Sequence, residues 1–477
     1  GESVDKLSLV KKYFSFSMGL WLNAIISFIT TPIVTWLIDP TQFGKSTMFS
    51  TLYSIMLILA TAGTQMSFMR FFPQKPENEK SELVWSCLTF PLLFSALISV
   101  ITFIFSKPIS FFLVEESSSY LVIILILSLV TGIFQTFNQT MIQMKGKGML
   151  YSVVNVVRAL SNVIFIIIYA YFVKKDFYAI VYAQLFSNLV SLVIGILFEH
   201  SYWFPIRINR TETIQVLKYG FPFIFSSIMM WLLSWTDRFV LRIFTDFNEI
   251  GLYSAAFKIV SAVSLFTSGF GTLWYPFAFE QYEKNPENKA VFSKALDYAS
   301  FLFFSIGFIV LAIKNVVFLL LAKSYRPAAS ISPFLLLTVF VPTINTIVVR
   351  GIDFSKKTYW FIISDSCGVI FNLVGNFLLI PILGSRGAAI STGLSYVVLL
   401  VIESTVSERL YPVGYNLKRV YYAIALFSLT ALIHTFFNYS VYPVASSIGA
   451  LLIMIYLYKA EFKTLIGEAK KALLRIG

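Results

Sequence analysis

Charged side chains inside two apolar segments are the first candidates for chemistry. The sequence reads Trp-Thr-Asp-Arg at 235–238, and Lys258 follows in the next apolar segment. A charged side chain in the hydrocarbon region of a membrane costs about 2.5–3.5 kcal/mol on insertion scales, so it usually faces a partner or a water-filled cavity. Asp237, Arg238 and Lys258 therefore predict a polar cavity among membrane-spanning helices, in which Asp237 compensates a neighbouring cation.

The segments that must position these charges are long apolar helices. Of the 477 residues, 57% are hydrophobic and 13% are charged, whereas a soluble domain has about 25% charged residues. Runs of about 18 to 25 apolar residues are long enough to cross a membrane core of ~30 Å as helices. We therefore predict an all-α polytopic membrane protein with fourteen transmembrane helices, which begin near residues 13, 44, 83, 120, 150, 179, 219, 252, 298, 331, 358, 388, 420 and 441.

A sequence repeat organises these helices. Shifting the chain by 207 residues lays Asp39 and Gly44 in LIDPTQFG over Asp246 and Gly251 in FTDFNEIG. Six helices per copy give both copies one orientation, as in parallel-repeat transporters. The repeat predicts two six-helix bundles in a V around a central cavity, at 13–200 and 216–407. Two additional helices at 419–458 and a basic cytoplasmic tail at 459–477 complete the chain.

The positive charges predict the orientation. With the N-terminus in the cytoplasm, the inside segments hold 25 of the 37 Lys and Arg residues, the outside segments hold nine, and Arg158, Arg238 and Lys258 lie within helices. Cytoplasmic loops carry the excess of Lys and Arg, so both termini are expected in the cytoplasm. The net charge of +13 then reflects this bias and attraction to anionic membrane lipids, rather than nucleic-acid binding.

The cysteines and histidines predict no metal site and no disulfide. Cys87 and Cys367 lie far apart in apolar segments, and His200 and His434 have no ligand-type spacing. His434 could carry protons, because imidazole titrates near neutrality, but a packing histidine is favoured. We expect no cofactor, and a coupling ion, H⁺ or Na⁺, is left open.

Amide side chains recur at helical spacing inside the apolar segments. Residues three, four or seven positions apart share one helix face, so these amides either line the cavity or hydrogen-bond neighbouring helices together. Both interpretations stay open. The candidates are Asn23, Gln135, Asn138, Gln139, Asn155, Asn162, Asn372 and Asn376, and the seventh segment adds a stripe of Ser227, Trp231, Ser234 and Arg238.

Arg158 and Asp365 are equivalent in the repeat. Each lies about eight residues, or ~12 Å, past a cytoplasmic helix start. We hypothesise that they form an ion pair across the cavity in one state of the transporter. Arg158, Arg238 and Lys258 are thus the predicted substrate-binding cations, with Asp237 and Asp365 as their charge partners. Cations suit phosphate, amides suit sugar hydroxyls, and aromatic faces suit sugar rings.

The stretch WTDRFVLRIFTDFNEIGLYSAAFKI at 235–259 resembles the seventh and eighth helices of bacterial oligosaccharide (O-antigen repeat-unit) flippases of the polysaccharide transporter family. TPIVTWLIDPTQFG at 31–44 and LWYP around Trp274 are also similar to that family. The resemblance implies the multidrug/oligosaccharidyl-lipid/polysaccharide exporter fold. It further implies translocation of a polyprenyl-diphosphate-linked oligosaccharide from the cytoplasmic to the periplasmic leaflet of a bacterial inner membrane. A polysaccharide polymerase and a chain-length regulator are the implied partners, and we expect a monomer.

Two other classes of protein fit the sequence less well. A cation-coupled exporter of small molecules would share the fold, but the basic cavity and the family-like hairpin favour the flippase. A membrane-embedded glycosyltransferase or polymerase would need a large extramembrane loop with paired carboxylates or an Asp-rich metal site. The predicted loops are too short for such a domain, so we expect a transporter and not an enzyme.

Overall fold

The structure, a computed structural model, describes the backbone of residues 6–476 and the side chains of residues 21–467, except those of residues 23, 266, 268, 272 and 276. All regular elements in this part of the chain are helices, which confirms the predicted all-α class. The first ten helices are α1 Lys6–Leu37, α2 Pro40–Thr61, α3 Thr64–Phe71, α4 Lys80–Ile104, α5 Ser106–Val114, α6 Ser119–Met144, α7 Gly148–Phe172, α8 Tyr178–Phe198, α9 His200–Trp203 and α10 Arg210–Phe244. The other ten are α11 Phe247–Lys284, α12 Ala290–Phe318, α13 Ser332–Leu335, α14 Leu337–Val348, α15 Arg350–Phe354, α16 Tyr359–Leu383, α17 Ser385–Leu410, α18 Leu417–Phe436, α19 Tyr442–Leu457 and α20 Lys459–Ile476.

The number of membrane spans depends on how bent helices are counted. Ten helices of the described chain are long and apolar enough to cross a membrane, and the number rises to thirteen when each of three bent pairs is one span. The described apolar part of the first predicted span, Ala24–Leu37, is shorter than these. The chain is a multi-pass membrane protein, and the count of fourteen spans stays a prediction.

Two compact units make up the chain. The first comprises Gly1–Phe239 and Asp246–Gly251, and the second comprises Val240–Thr245 and Leu252–Gly477. The first unit thus includes α10 as far as Phe239, beyond residue 216, where the second sequence repeat is predicted to begin. The division into 13–200, 216–407, 419–458 and 459–477 stays a prediction about the repeat.

In the first unit, the repeat-equivalent helices α2 and α11 each begin with an aspartate that caps the helix N-terminus. The Asp39 carboxylate accepts a hydrogen bond from the backbone N–H of Gln42 at 3.0 Å, and the Asp246 carboxylate accepts one from Glu249 at 3.0 Å. Both are side-chain caps of a helix N-terminus. The repeat-equivalent residues Asp39 and Asp246 therefore have the same local structure.

A break between α2 and α3 positions α10. Gly63, at the break, has a φ of +69°, which favours glycine. A β-carbon added to Gly220 on α10 would lie 2.8 Å from the carbonyl group of Gly63, so the two backbones are in direct contact. The Ser67 hydroxyl on α3 donates to the Val216 carbonyl of α10 at 2.6 Å. These contacts fix α10 against the broken helix.

In the second unit, α16 packs along α17, and α12 packs against α14, α18 and α19. The basic C-terminal segment continues as a helix, α20, and its part up to Gly467 is bent by 87° from α19. Arg419 on α18 forms an ion pair with Glu461 on α20 at 3.0 Å, which ties the two helices together.

Two further basic residues lie within helices. The apolar pattern places Lys314 and Arg350 in loops, but they are buried within α12 and α15. The reason is that α12 runs on to Phe318, and the tenth predicted span is broken into short helices of which α15 is the last. Helical structure therefore extends beyond the apolar runs from which the loop boundaries were predicted.

Candidate functional site

A cavity of about 440 Å³ lies in the first unit between α2, α3 and α10. Its volume falls within the range of about 300–1,000 Å³ that is usual for small-molecule sites. Its wall is mostly apolar. It combines the indole rings of Trp231 and Trp235 and the side chains of Ile58, Met66, Phe223 and Met230 with four serines, Ser54, Ser226, Ser227 and Ser234. Such a wall can bind a ring compound that has both apolar faces and hydroxyl groups.

The face that α10 turns to this cavity follows from helical spacing. Ser227, Trp231 and Ser234 are four and three positions apart and so share one face. All three line the cavity. The Trp231 indole N–H donates to the Ser54 hydroxyl on α2 at 2.7 Å, which fixes the indole across the gap between the two helices.

Arg238, the fourth residue of the predicted stripe, lies behind this wall and is buried together with Asp237. The two residues are 3% and 1% exposed, and the Arg238 Nη1 lies 2.8 Å from the Asp237 carboxylate. The guanidinium also donates to the Ser234 carbonyl at 2.6 Å and lies 4.9 Å from the centre of the Trp235 ring. Its charge is therefore balanced, and it contacts two residues of the cavity wall.

Arg158 on α7 is in a different electrostatic situation. It is half-buried, and its electrostatic neighbours are the hydroxyl groups of Tyr53 and Tyr151. No carboxylate of the described residues forms an ion pair with it. The positive charge of Arg158 is therefore less compensated than that of Arg238. In the first unit, Arg158 is thus the better candidate to bind an anion.

Three of the six candidate amides of the first unit, Asn138, Gln139 and Asn155, bond helices together. The Gln139 amide donates to the Asn155 side chain at 2.6 Å and joins α6 to α7, whereas Asn138 donates to the Ser191 carbonyl at 3.4 Å and joins α6 to α8. Gln135 is buried, and neither polar atom of its side chain bonds to a described residue. Asn162 is half-buried, and the Asn23 side chain lies outside the described residues.

Of the two candidate amides of the second unit, Asn372 joins two helices, whereas Asn376 bonds within α16. Asn372 on α16 donates to the Thr392 hydroxyl on α17 at 3.1 Å, and Asn376 donates to the Asn372 side chain at 3.1 Å. Lys258 on α11 is exposed, and Asp365 on α16 is half-buried. Arg158 and Asp365 belong to different units, and their ion pair stays a prediction.

The sequence reasoning missed three buried charges of the second unit. Glu403 on α17, Arg350 and Lys314 are each at most 5% exposed. Arg350 forms an ion pair with Asp353 at 2.7 Å and stacks 3.9 Å from the centre of the Tyr275 ring. Glu403 lies inside the apolar run VVLLVIESTV, so the rule that singled out Asp237 could have found it.

Comparison with known proteins assigns the chain to a family. Residues 9–281, more than half of the chain, match the family described as polysaccharide biosynthesis protein. An uncharacterized membrane protein of Methanocaldococcus jannaschii is 22% identical over 389 residues, which cover 74% of each chain. The probable low-salt glycan biosynthesis flippase Agl15 of Haloferax volcanii is 22% identical over 233 residues, which cover 48% of this chain and 49% of that protein. Both relatives are archaeal.

Solved structures confirm the predicted exporter fold. The lipid II flippase MurJ in an inward closed conformation superposes with a TM-score of 0.69 over 95% of this chain and 99% of its own, at 13% sequence identity. An inward-facing multidrug resistance MATE family transporter of the MOP superfamily gives a TM-score of 0.57 over 83% of this chain and 95% of its own, at 16% identity. At such identities the likeness concerns the fold alone. Because residues 9–281 match this family, the chain belongs to the polysaccharide biosynthesis protein family.

Proposed function

We propose that this protein flips a polyprenyl-diphosphate-linked oligosaccharide repeat unit, of the O-antigen or capsule type, from the cytoplasmic to the periplasmic leaflet by alternating access. The observation that carries the proposal is the cavity of serine hydroxyls and indole rings inside a multi-pass member of the polysaccharide biosynthesis protein family. A probable low-salt glycan biosynthesis flippase among the relatives and a lipid II flippase among the similar folds support it.

The cavity in the first unit is the proposed glycan site. The hydroxyls of Ser227 and Ser234 can exchange hydrogen bonds with sugar hydroxyls, and the faces of Trp231 and Trp235 can pack against the apolar faces of sugar rings. Arg238 then has a positioning role, because its guanidinium stacks on Trp235 and bonds to the Ser234 carbonyl.

The diphosphate requires a positively charged side chain that it can reach. Arg158 is our candidate in the first unit, because no described carboxylate pairs with it, and a guanidinium binds phosphate through two parallel hydrogen bonds. Lys258, exposed on α11, is the candidate in the second unit. Arg238 is the weaker candidate because Asp237 already balances its charge.

The proposed location is a bacterial inner membrane, with both termini in the cytoplasm as the Lys and Arg distribution predicts. A polymerase and a chain-length regulator would then use the translocated product in the periplasm. A cation-coupled exporter of small molecules is the second candidate function, and the likeness to MATE transporters together with the aromatic cavity wall supports it.

An experiment in cells separates the two functions. In cells that lack the gene, the flippase proposal expects lipid-linked oligosaccharide to accumulate on the cytoplasmic leaflet, and the wild-type gene to relieve this accumulation. Restored drug resistance without any change in lipid-linked oligosaccharide would instead establish the exporter.

A further inference from the structure

Glu403 is a buried carboxyl group that the proposed glycan site does not use. It lies on α17, seven residues before the end of that helix and so roughly 10 Å along its axis. It is 5% exposed, and no Lys, Arg or His side chain of the described chain forms an ion pair with it. An ionised carboxylate buried without a cation costs several kcal/mol, so a bound proton would stabilise this site.

The charged groups around Glu403 do not neutralise it. Its electrostatic neighbours are Arg350 and Asp353 on α15 and Asp365 on α16, and Tyr421 on α18 bonds to the adjacent Ser404. Arg350 lies 2.7 Å from Asp353 and is balanced by it. The remaining carboxyls, Glu403 and Asp365, are thus left with a surplus negative charge.

Ser364 gives Glu403 a partner in both protonation states. The Ser364 hydroxyl lies 2.6 Å from the Glu403 Oε1 and 3.0 Å from the Phe361 carbonyl oxygen, but its single proton can serve only one of them at a time. With Glu403 ionised, Ser364 donates to the carboxylate. With Glu403 protonated, the carboxyl O–H donates to the Ser364 oxygen, and the serine proton turns to the Phe361 carbonyl.

The second carboxyl oxygen of Glu403 also keeps its hydrogen bond in both protonation states. The Asn345 amide N–H on α14 donates to Oε2, which can accept it either as a carboxylate oxygen or as the carbonyl oxygen of the acid. Taking up or releasing a proton therefore reverses one hydrogen bond between α16 and α17 and leaves both oxygens of Glu403 hydrogen-bonded. Because donors already lie against both oxygens, the site fits a proton better than a sodium ion.

We propose that Glu403, with Ser364 as its hydrogen-bond partner, is a proton-binding site whose protonation and release accompany the transport cycle. The carboxylate takes its proton from water and returns it to water, so no electron transfer and no further reactant are needed. The link to transport rests on the proposed function, whereas proton binding itself does not.

Infrared difference spectra of the full-length protein, reconstituted in lipid and titrated from about pH 5 to pH 9, test this site directly. The wild type should show the C=O band of a carboxyl group that is protonated at low pH and ionised at high pH. Glu403→Gln should remove this band. Glu408→Gln, on the same helix, is the matched control, because Glu408 accepts a hydrogen bond from the Gly414 N–H and should leave the band in place.

Ser364→Ala keeps the carboxyl group and removes its partner, so the band should remain with a shifted frequency and titration midpoint. A band unchanged in both Glu403→Gln and Ser364→Ala would overturn the proposal, and so would loss of the band on adding NaCl at constant pH, which would assign the site to sodium. Gel filtration and circular dichroism establish that each variant is folded.

A Glu403 band in a protein that moves no lipid-linked glycan would contradict the proposed function alone, whereas glycan translocation without that band would contradict this inference alone.

Discussion

Gly44 and Gly251 lie back to back in the first unit. A β-carbon added to Gly44 would lie 3.1 Å from the backbone nitrogen of Gly251 and 1.9 Å from the carbonyl oxygen of Phe247, while one added to Gly251 would lie 1.9 Å from the carbonyl oxygen of Pro40. Pro40 and Phe247 are equivalent at the same offset of 207 residues that relates the two glycines. The contacts are therefore reciprocal, as a local two-fold axis between the repeated hairpins would make them.

Gly251→Ala should destabilise the protein, because the new methyl group would meet backbone and not a flexible side chain. Overpacking of this kind costs about 1–3 kcal/mol. The measurement is the temperature at which the detergent-solubilised protein loses its monodisperse gel-filtration peak. Gly449→Ala is the control, since a β-carbon there meets nothing within 4 Å. Equal midpoints for the two variants would show that the glycine contact is not close in solution.

Asp237→Asn should destabilise the protein strongly, because it leaves the Arg238 guanidinium buried without its counter-charge. Removing one partner of a buried ion pair costs about 3–5 kcal/mol. The double variant Asp237→Asn, Arg238→Gln should recover part of this loss in a thermal-unfolding cycle. Glu280→Gln in the exposed pair with Lys284 is the control, and should change stability by less than about 1 kcal/mol. If Asp237→Asn lost as little stability as the control, water would have to reach the Asp237–Arg238 pair.

The fold could be predicted from the sequence because apolar length and composition decide which segments span a membrane. The stripe on α10 was also predictable, because helical periodicity places Ser227, Trp231 and Ser234 on one face. What could not be predicted is which of these side chains the neighbouring helices cover. Arg238 shares the spacing of the stripe, yet the adjacent Asp237 holds it in the interior.

The buried charges of the second unit show the same limit. Arg350 stands at the end of an apolar run, where loop residues are expected, yet it begins the helix α15 and is buried. Glu403 stands out as a charge inside an apolar run, but its hydrogen-bond partners, Ser364 and Asn345, lie 39 and 58 residues away in the sequence. Pairing over such distances depends on helix packing and leaves no local pattern in the sequence.

Trp231→Ala should reduce glycan translocation about tenfold, which corresponds to a loss of about 1.4 kcal/mol of binding. The change removes an aromatic face of the cavity and the hydrogen bond to Ser54. The measurement is the lipid-linked oligosaccharide that accumulates in complemented cells, at matched expression. Trp36→Ala is the control, because that indole is 63% exposed on α1. If both variants transport like the wild type, the cavity between α2, α3 and α10 is not the glycan site.

A charge swap tests the ion pair proposed for Arg158 and Asp365. Arg158→Asp and Asp365→Arg should each abolish transport, because each places two like charges where the pair would form. Combining them should restore a measurable part of the activity in the same complementation assay. Lys284→Glu, at the exposed end of α11, controls for a charge reversal as such. A double variant as inactive as the two single variants would refute the ion pair.

The central claim is that this chain moves a lipid-linked glycan across a membrane. The most direct measurement uses the purified protein in vesicles that carry a fluorescent polyprenyl-diphosphate-linked oligosaccharide, with a membrane-impermeant quencher reporting the outer leaflet. The account predicts that the wild type exchanges the glycan between leaflets, and that Arg158→Ala slows this exchange at least tenfold. Exchange by the wild type no faster than in protein-free vesicles would contradict the account.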